Sequence, residues 1–262
     1  MRLAEDREQE RILKFLQKDI HNCIYLYIDI ANYGISTDNI KVWIEETNSD
    51  ISLVLMKYYD SMQLYCLPET CNMDSIVSVL NQYPVAMISG ERNIIEQLAI
   101  RCPEYHSTYG EIFLMDRHRK VIPDKIIEEA IPDDTKEIAE LICQDKEIGG
   151  HYTTQVLAEQ LEERIRTHTG RSYIIRENGI IIAHTATYAE ADGIAVVGGT
   201  IVHETFRNTN AYMMLSNYML EQLALEGKKA YTFATSPKMI KYHELLHKKC
   251  GEYGKMTKVD SI

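Results

Sequence analysis

Between residues 135 and 259 the apolar pattern switches repeatedly between a helical and a strand period, and that order leaves few folds open. A helix is predicted over 135–146, capped by Asp133 or Asp134, and a second from Thr153 or Thr154 to about 167. Strands follow at 171–176 and 180–187, joined through Glu177-Asn178-Gly179. Asn-Gly is the strongest short hairpin signal, because both residues accept left-handed backbone. A third strand at 194–203 leads into a helix over 210–226 that stops at Gly227. A strand at 229–234, a helix at 238–248 and a strand at 253–259 complete the series. Helix, helix, hairpin, strand, helix, strand, helix, strand predicts an α/β fold around a mixed sheet.

The first half carries a fainter version of that order. Ile12, Leu13, Leu16 and Ile20 stand at helical spacing, and 22–33 is apolar enough for a buried helix or strand that stops at Gly34. Residues 40–45, 51–57 and 62–66 are short, rich in β-formers and separated by polar turns, which predicts an antiparallel meander. Trp43, Tyr58, Tyr59 and Tyr65 read as its packing. Asp74 is the expected cap of a helix to about 82, before a strand at 85–89, a helix at 91–101 and a strand at 112–115. The repeated order suggests an internal duplication, without identity at the level of residues. Residues 117–134 are rich in Lys, Glu and Pro, so the boundary is expected near 125, giving domains at 1–125 and 126–262.

A formal net charge of -11 repels a phosphate backbone, which argues against nucleic-acid binding and suits a cationic amine. The charged start lacks the apolar core of a secretory signal, and no apolar run approaches the roughly 18 residues that cross a bilayer. No membrane association is expected. Cysteines at 23, 66, 71, 102, 143 and 250 form no Cys-x-x-Cys pair. A Cys66–Cys71 bridge is open by spacing, but the reading is of reduced thiols in a cytoplasmic protein.

The densest functional signal runs from Ile194 to Asn210. An apolar strand ends in Thr200-Ile201-Val202, and a helix begins just beyond Arg207. A helix N-terminus presents unpaired N–H groups and partial positive charge, which suit a pyrophosphate. An ordinary strand-to-helix turn looks the same in one sequence.

Residues 194–248 resemble the core of the GNAT superfamily of acyl-CoA-dependent N-acetyltransferases. The likeness lies in the strand, the turn ending in Arg/Gln-x-x-Gly-x-Gly/Ala, the long helix, the next strand and a Tyr-bearing helix. With the hairpin from Gly179 to Thr187 it covers roughly 134–259, and the N-terminal region resembles the extra GNAT-like first domain of some bacterial members. The resemblance implies a GNAT fold and transfer of an acetyl or other acyl group from acetyl-CoA to a small-molecule or peptide amine, with no metal. Homodimerisation is left open.

It implies that Thr200, Ile201 and Val202 hold the pantetheine arm, with the Val202 amide near the thioester oxygen. Arg207 would take the first place of the motif, and the amides of Asn208, Thr209, Asn210, Ala211, Tyr212 and Met213 would face the pyrophosphate. The motif's glycine and second small residue are here Asn210 and Tyr212, and the Tyr212 ring either fills that space or turns into the core. Tyr242 is the implied general acid, or His243 if the register shifts by one. Glu204, His203, Glu190 and Asp192 are candidate bases. His151 and Tyr152 border the implied acceptor site.

Two other readings compete. One is a GNAT-shaped binding or regulatory protein whose coenzyme site has decayed. The other is a zinc hydrolase, because His243-Glu244-Leu245-Leu246-His247 would set two imidazoles on one face of a helix with Glu244 as base. The element order instead assigns that helix to the GNAT core, with Leu245 and Leu246 facing inward.

Overall fold

The computed structural model describes residues 1–116, 124–145, 148–149 and 153–259. They divide into two compact units. The first is Met1–Phe113 with Phe233–Leu245 and Lys249–Ile262, and the second is Leu114–Thr232 with Leu246–Lys248. The C-terminal segment, grouped by sequence with the second domain, thus clusters largely with the first unit.

In the first unit, β1 (Arg2–Leu3) and β2 (Ser36–Thr37) both pair with β3 (Ile40–Thr47). Helices α1 (Gln9–Gln17) and α2 (Ile24–Tyr33) precede the expected meander of β3, β4 (Asp50–Tyr58) and β5 (Ser61–Cys66). Asn72, and not Asp74, caps α3 (Met73–Gln82), its side chain accepting from the Ser75 N–H. Then come β6 (Met87–Glu91), α4 (Arg92–Arg101) and β7 (Tyr105–Leu114). Strand β6 lies parallel to β5, so its connection must cross over, and α3 makes that crossing. Trp43 and Tyr65 are buried as expected, whereas Tyr59 is 58% exposed on a turn at φ 49°.

The second unit opens with β8 (Ile127–Glu129), which the sequence pattern did not reveal. Helices α5 (Thr135–Cys143) and α6 (Thr154–Thr167) follow, α6 capped by the Thr153 hydroxyl. Strands β9 (Ser172–Glu177) and β10 (Ile180–Ala191) meet at Asn178 (φ 53°) and Gly179 (φ 81°), the left-handed pair an Asn-Gly hairpin requires. Strand β11 (Ile194–Val202), helix α7 (Ala211–Leu225) and strand β12 (Lys229–Ala234) come next. The strands run β8-β9-β10-β11 antiparallel, with β12 parallel to β11.

Alternate residues feed two cores. Ile175, Ile182 and Val202 pack with α7, while Ile174, Ile181 and Ile201 pack with α5 and α6. Both faces of this sheet are therefore covered, which is why its strands lack a polar face. Helix α8 (Pro237–Leu246) and strand β13 (Lys248–Lys258) end the chain, so each half repeats one order of helices and strands.

Strand β13 pairs antiparallel with β6, from Tyr253 opposite Glu91 to Thr257 opposite Met87. Gly254 faces Gly90, and Ile95 of α4 sits against the gap. A Cβ on Gly254 would lie 2.6 Å from the Ile95 Cβ. That atom is fixed near the helix backbone and cannot swing aside. Gly254→Ala is expected to cost about 1–3 kcal/mol through overpacking, read as a lower denaturation midpoint. An unchanged midpoint would show that α4 is not seated on β13.

Candidate active site

Parallel pairing of β11 with β12 runs through Ile194–Lys229 and Ala195–Ala230 and ends at Val196–Tyr231, yet β11 continues to Val202. On its other side β11 stays paired with β10, but the register slips between His184–Ile201 and Ala186–Gly198, placing a bulge at Gly199-Thr200. Gly199 has φ 61°. A Cβ on Gly198 or Gly199 would come within 2.4 Å of the Tyr188 side chain, so the close approach of that ring demands two glycines.

Beyond the bulge the His203 N–H donates to the Ile182 carbonyl at 2.8 Å. Alternation along an antiparallel ladder then turns the peptide groups of Ile201 toward β10 and those of Val202 away from it. The outward groups lie on the stretch where β12 has departed. Of the three residues expected to offer backbone bonds, Ile201 pairs with His184 in the ladder, Val202 follows it, and Thr200 lies in the bulge.

His184 fixes the bulge from behind. It is fully buried, with Nδ1 3.0 Å from the Gly199 carbonyl and Nε2 3.1 Å from the Ser172 hydroxyl. A neutral ring donating from Nδ1 and accepting at Nε2 satisfies both contacts. Burial lowers its pKa to about 4, against the upward pull of the Gly199 carbonyl. Thr185 and Thr200 hydroxyls meet at 2.7 Å beside it.

After Val202 the chain makes a 3-10 turn over Glu204–Phe206 and enters α7. Arg207 is exposed, donates from Nε to the Val202 carbonyl at 3.4 Å and pairs with Asp145 at 3.2 Å. Asn208 and Thr209 are also exposed. Asn210 has φ -84°, so the left-handed conformation that would favour glycine does not arise. The Thr209 N–H donates to the Phe206 carbonyl at 3.0 Å, and the Ala211 N–H to the Thr209 hydroxyl at 3.3 Å. Those two expected phosphate donors are used within the turn. The Tyr212 side chain is half-buried and packs against the α7 core cluster, which favours the inward of its two orientations.

Glu204 and Asp192 are exposed, and half-buried His203 accepts from the Thr205 N–H at 3.4 Å. Glu190 is no free base. It lies 8% exposed among Arg171 at 2.7 Å, Lys228 at 2.6 Å and the Thr187 hydroxyl at 2.6 Å, with Glu226 bridging the same two cations. Burial alone would raise its pKa, but those three partners hold it below the usual carboxylate value. His184 and this network were the features that sequence reasoning missed.

Tyr242 is half-buried on α8 in the first unit, edge-on to His243 at 5.5 Å. The inward residue of α8 is His243, 5% exposed, whereas Leu245 is 73% exposed and Leu246 half-buried. That corrects the expected helix phase. The helix ends at Leu246, one residue before His247. Among the described residues no group of three or more His, Cys, Asp or Glu side chains is gathered as a metal site. Cys66 and Cys71 form a disulfide, correcting the reduced-thiol expectation for that pair. No helix among the described residues is long and apolar enough to cross a membrane. His151 and Tyr152 lie outside the described residues.

No family model and no curated protein matches the chain. Solved structures do. A Drosophila protein aligns with TM-score 0.68 and 12% identity over 98% of each chain. A GNAT-family acetyltransferase from Colwellia psychrerythraea aligns with TM-score 0.61 and 11% identity, covering 98% of this chain and 99% of that one. A tandem GNAT protein from the clavulanic acid biosynthesis pathway aligns with TM-score 0.57 and 12% identity over 100% and 99%. Identities this low establish a shared fold.

Burial of neutral His184 links stability to pH. Its folded pKa lies below that of a free imidazole, so the unfolded chain binds the extra proton, and the stabilisation present above about pH 6.5 is lost as pH falls toward 4. The unfolding free energy is expected to decline through that window. His184→Gln should flatten the decline, and an unchanged slope would contradict a neutral buried ring.

Proposed function

We propose that this chain, whose fold is that of the GNAT acetyltransferases along its whole length, moves an acetyl or other acyl group from acetyl-CoA to a primary amine of a small molecule or peptide. The observation behind the proposal is the parting of β11 from β12 after Val196, which leaves Thr200–Val202 without a strand neighbour on that side just before the first turn of α7. A strand edge without a strand neighbour suits the amide-bearing pantetheine arm, and a helix N-terminus suits the diphosphate. In this reading Thr200, Ile201 and Val202 line the arm. Arg207, Asn208, Thr209, Asn210, Ala211 and Tyr212 form the diphosphate turn, and Arg207 would exchange Asp145 for phosphate.

When bound, the coenzyme supplies an acyl thioester. The Val202 N–H would donate to the carbonyl oxygen as negative charge develops there during direct attack by the amine. Tyr242 is assigned as donor of the proton that the departing thiolate takes up, by its place in the element order. Glu204 is assigned to receive the proton of the amine, an exposed carboxylate that takes it directly or through water. The acceptor is drawn from amines because the chain is acidic overall.

A second reading is favoured by the internal use of the Thr209 and Ala211 amides and by the Arg207–Asp145 pair. It is a GNAT-shaped binding or regulatory protein without coenzyme. Calorimetric titration with acetyl-CoA separates the two, saturable binding supporting transfer and no binding supporting the second. In the transferase, Tyr242→Phe is expected to lower kcat by about 100-fold with coenzyme affinity unchanged. Equal turnover would remove Tyr242 from the mechanism.

A further inference from the structure

The first unit holds a cavity of about 340 Å³ between the start of α2 and its own sheet, lined entirely by residues of that unit. Its floor has a defined chemistry. Strand pairing sets Lys255 of β13 opposite Ser89 of β6, and Ser89 opposite Gln63 of β5. Directly opposed residues share a face, so an ammonium, a hydroxyl and an amide form one row across three strands. Behind the row, Gln63 donates to Asp29 of α2 at 2.5 Å. Lys255 is half-buried and has no ion pair among the described residues. Glu252 on the same strand is engaged by Lys249 and Arg92, and Glu111 on β7 by Lys249. A half-buried cation with no ion pair among the described residues, in a chain of net charge -11, is a place for an anion to gain most.

The walls are aromatic. Phe233 lies 5.0 Å from Tyr25 and 4.9 Å from Tyr253, centroid to centroid, with Tyr253 edge-on to it. Such a wall accepts a flat apolar body.

The first unit's own strand–turn–helix, β5 to α3, is closed to a nucleotide. Glu45 places its carboxylate at the start of α3, accepting from the Ser75 hydroxyl at 2.7 Å and the Asn72 amide at 3.4 Å, while the Cys66–Cys71 disulfide closes the turn. A fixed carboxylate at a helix N-terminus repels a diphosphate from the same spot. The duplicated order therefore supplies a cavity without a coenzyme handle.

We propose that the first unit binds a small aromatic carboxylate in this cavity, its anion on the Lys255 ammonium with Ser89 beside it and its ring against Tyr25, Phe233 and Tyr253. This stands apart from the coenzyme reading, since it uses other residues. The test titrates the full-length protein with phenylacetate and with its neutral isostere phenylacetamide, followed by NMR or calorimetry. Phenylacetate is expected to bind roughly tenfold to a hundredfold more tightly than the amide, the worth of one charge-assisted contact. Lys255→Gln should abolish that preference and Lys255→Arg should retain it. Circular dichroism checks that both variants fold. Equal affinity for the two probes, no binding of either, or a preference surviving Lys255→Gln would each overturn the proposal. Acetyl-CoA titrated into the same samples reports on the second unit separately, so either reading can fail alone.

Discussion

A strand that loses its neighbour partway along must leave peptide groups for something else to satisfy, and this constraint organises the second unit. Beyond Val196 the path of β11 is fixed by specific packing. Tyr188 packs against Gly198-Gly199, and His184 bonds the Gly199 carbonyl, both from β10. Buried polar groups of this kind cost several kcal/mol when left unmade, so the bulge and its histidine form one unit. Sheet layers, helix α7 and the turn at Arg207 follow from where that strand ends.

Duplication of an element order does not duplicate a site. In the second unit the turn after Val202 leads into α7 with exposed Arg207, Asn208 and Thr209. In the first, the equivalent turn is bridged by a disulfide and faces the Glu45 carboxylate. One carboxylate at a helix N-terminus reverses what that terminus attracts. The two halves thus share a layout of strands and differ in the electrostatics of a few residues.

Much of this layout was legible in the sequence where local chemistry decides. Asn178-Gly179 and Gly227 end their elements with left-handed backbone, and Thr153 caps α6. What stayed hidden depends on partners distant along the chain. A strand signal over 253–259 says nothing about which strand it joins, and only the register of β13 on β6 places it in the first unit. His184 reads as one more residue of an apolar strand until Ser172 and Gly199 close around it. Glu190 reads as a loop charge until Arg171 and Lys228 arrive from either side. In α8 the element order turns Leu245 and Leu246 inward, yet the packing buries His243, its ring tilted against Phe113 at 5.4 Å.

A crystal structure of the protein with bound coenzyme A tests the central claim most directly. The account predicts the pantetheine arm lying along Thr200–Val202 of β11, with the diphosphate at the first turn of α7. Coenzyme bound at another place, or that strand edge closed by the protein's own side chains at saturating coenzyme, would contradict it.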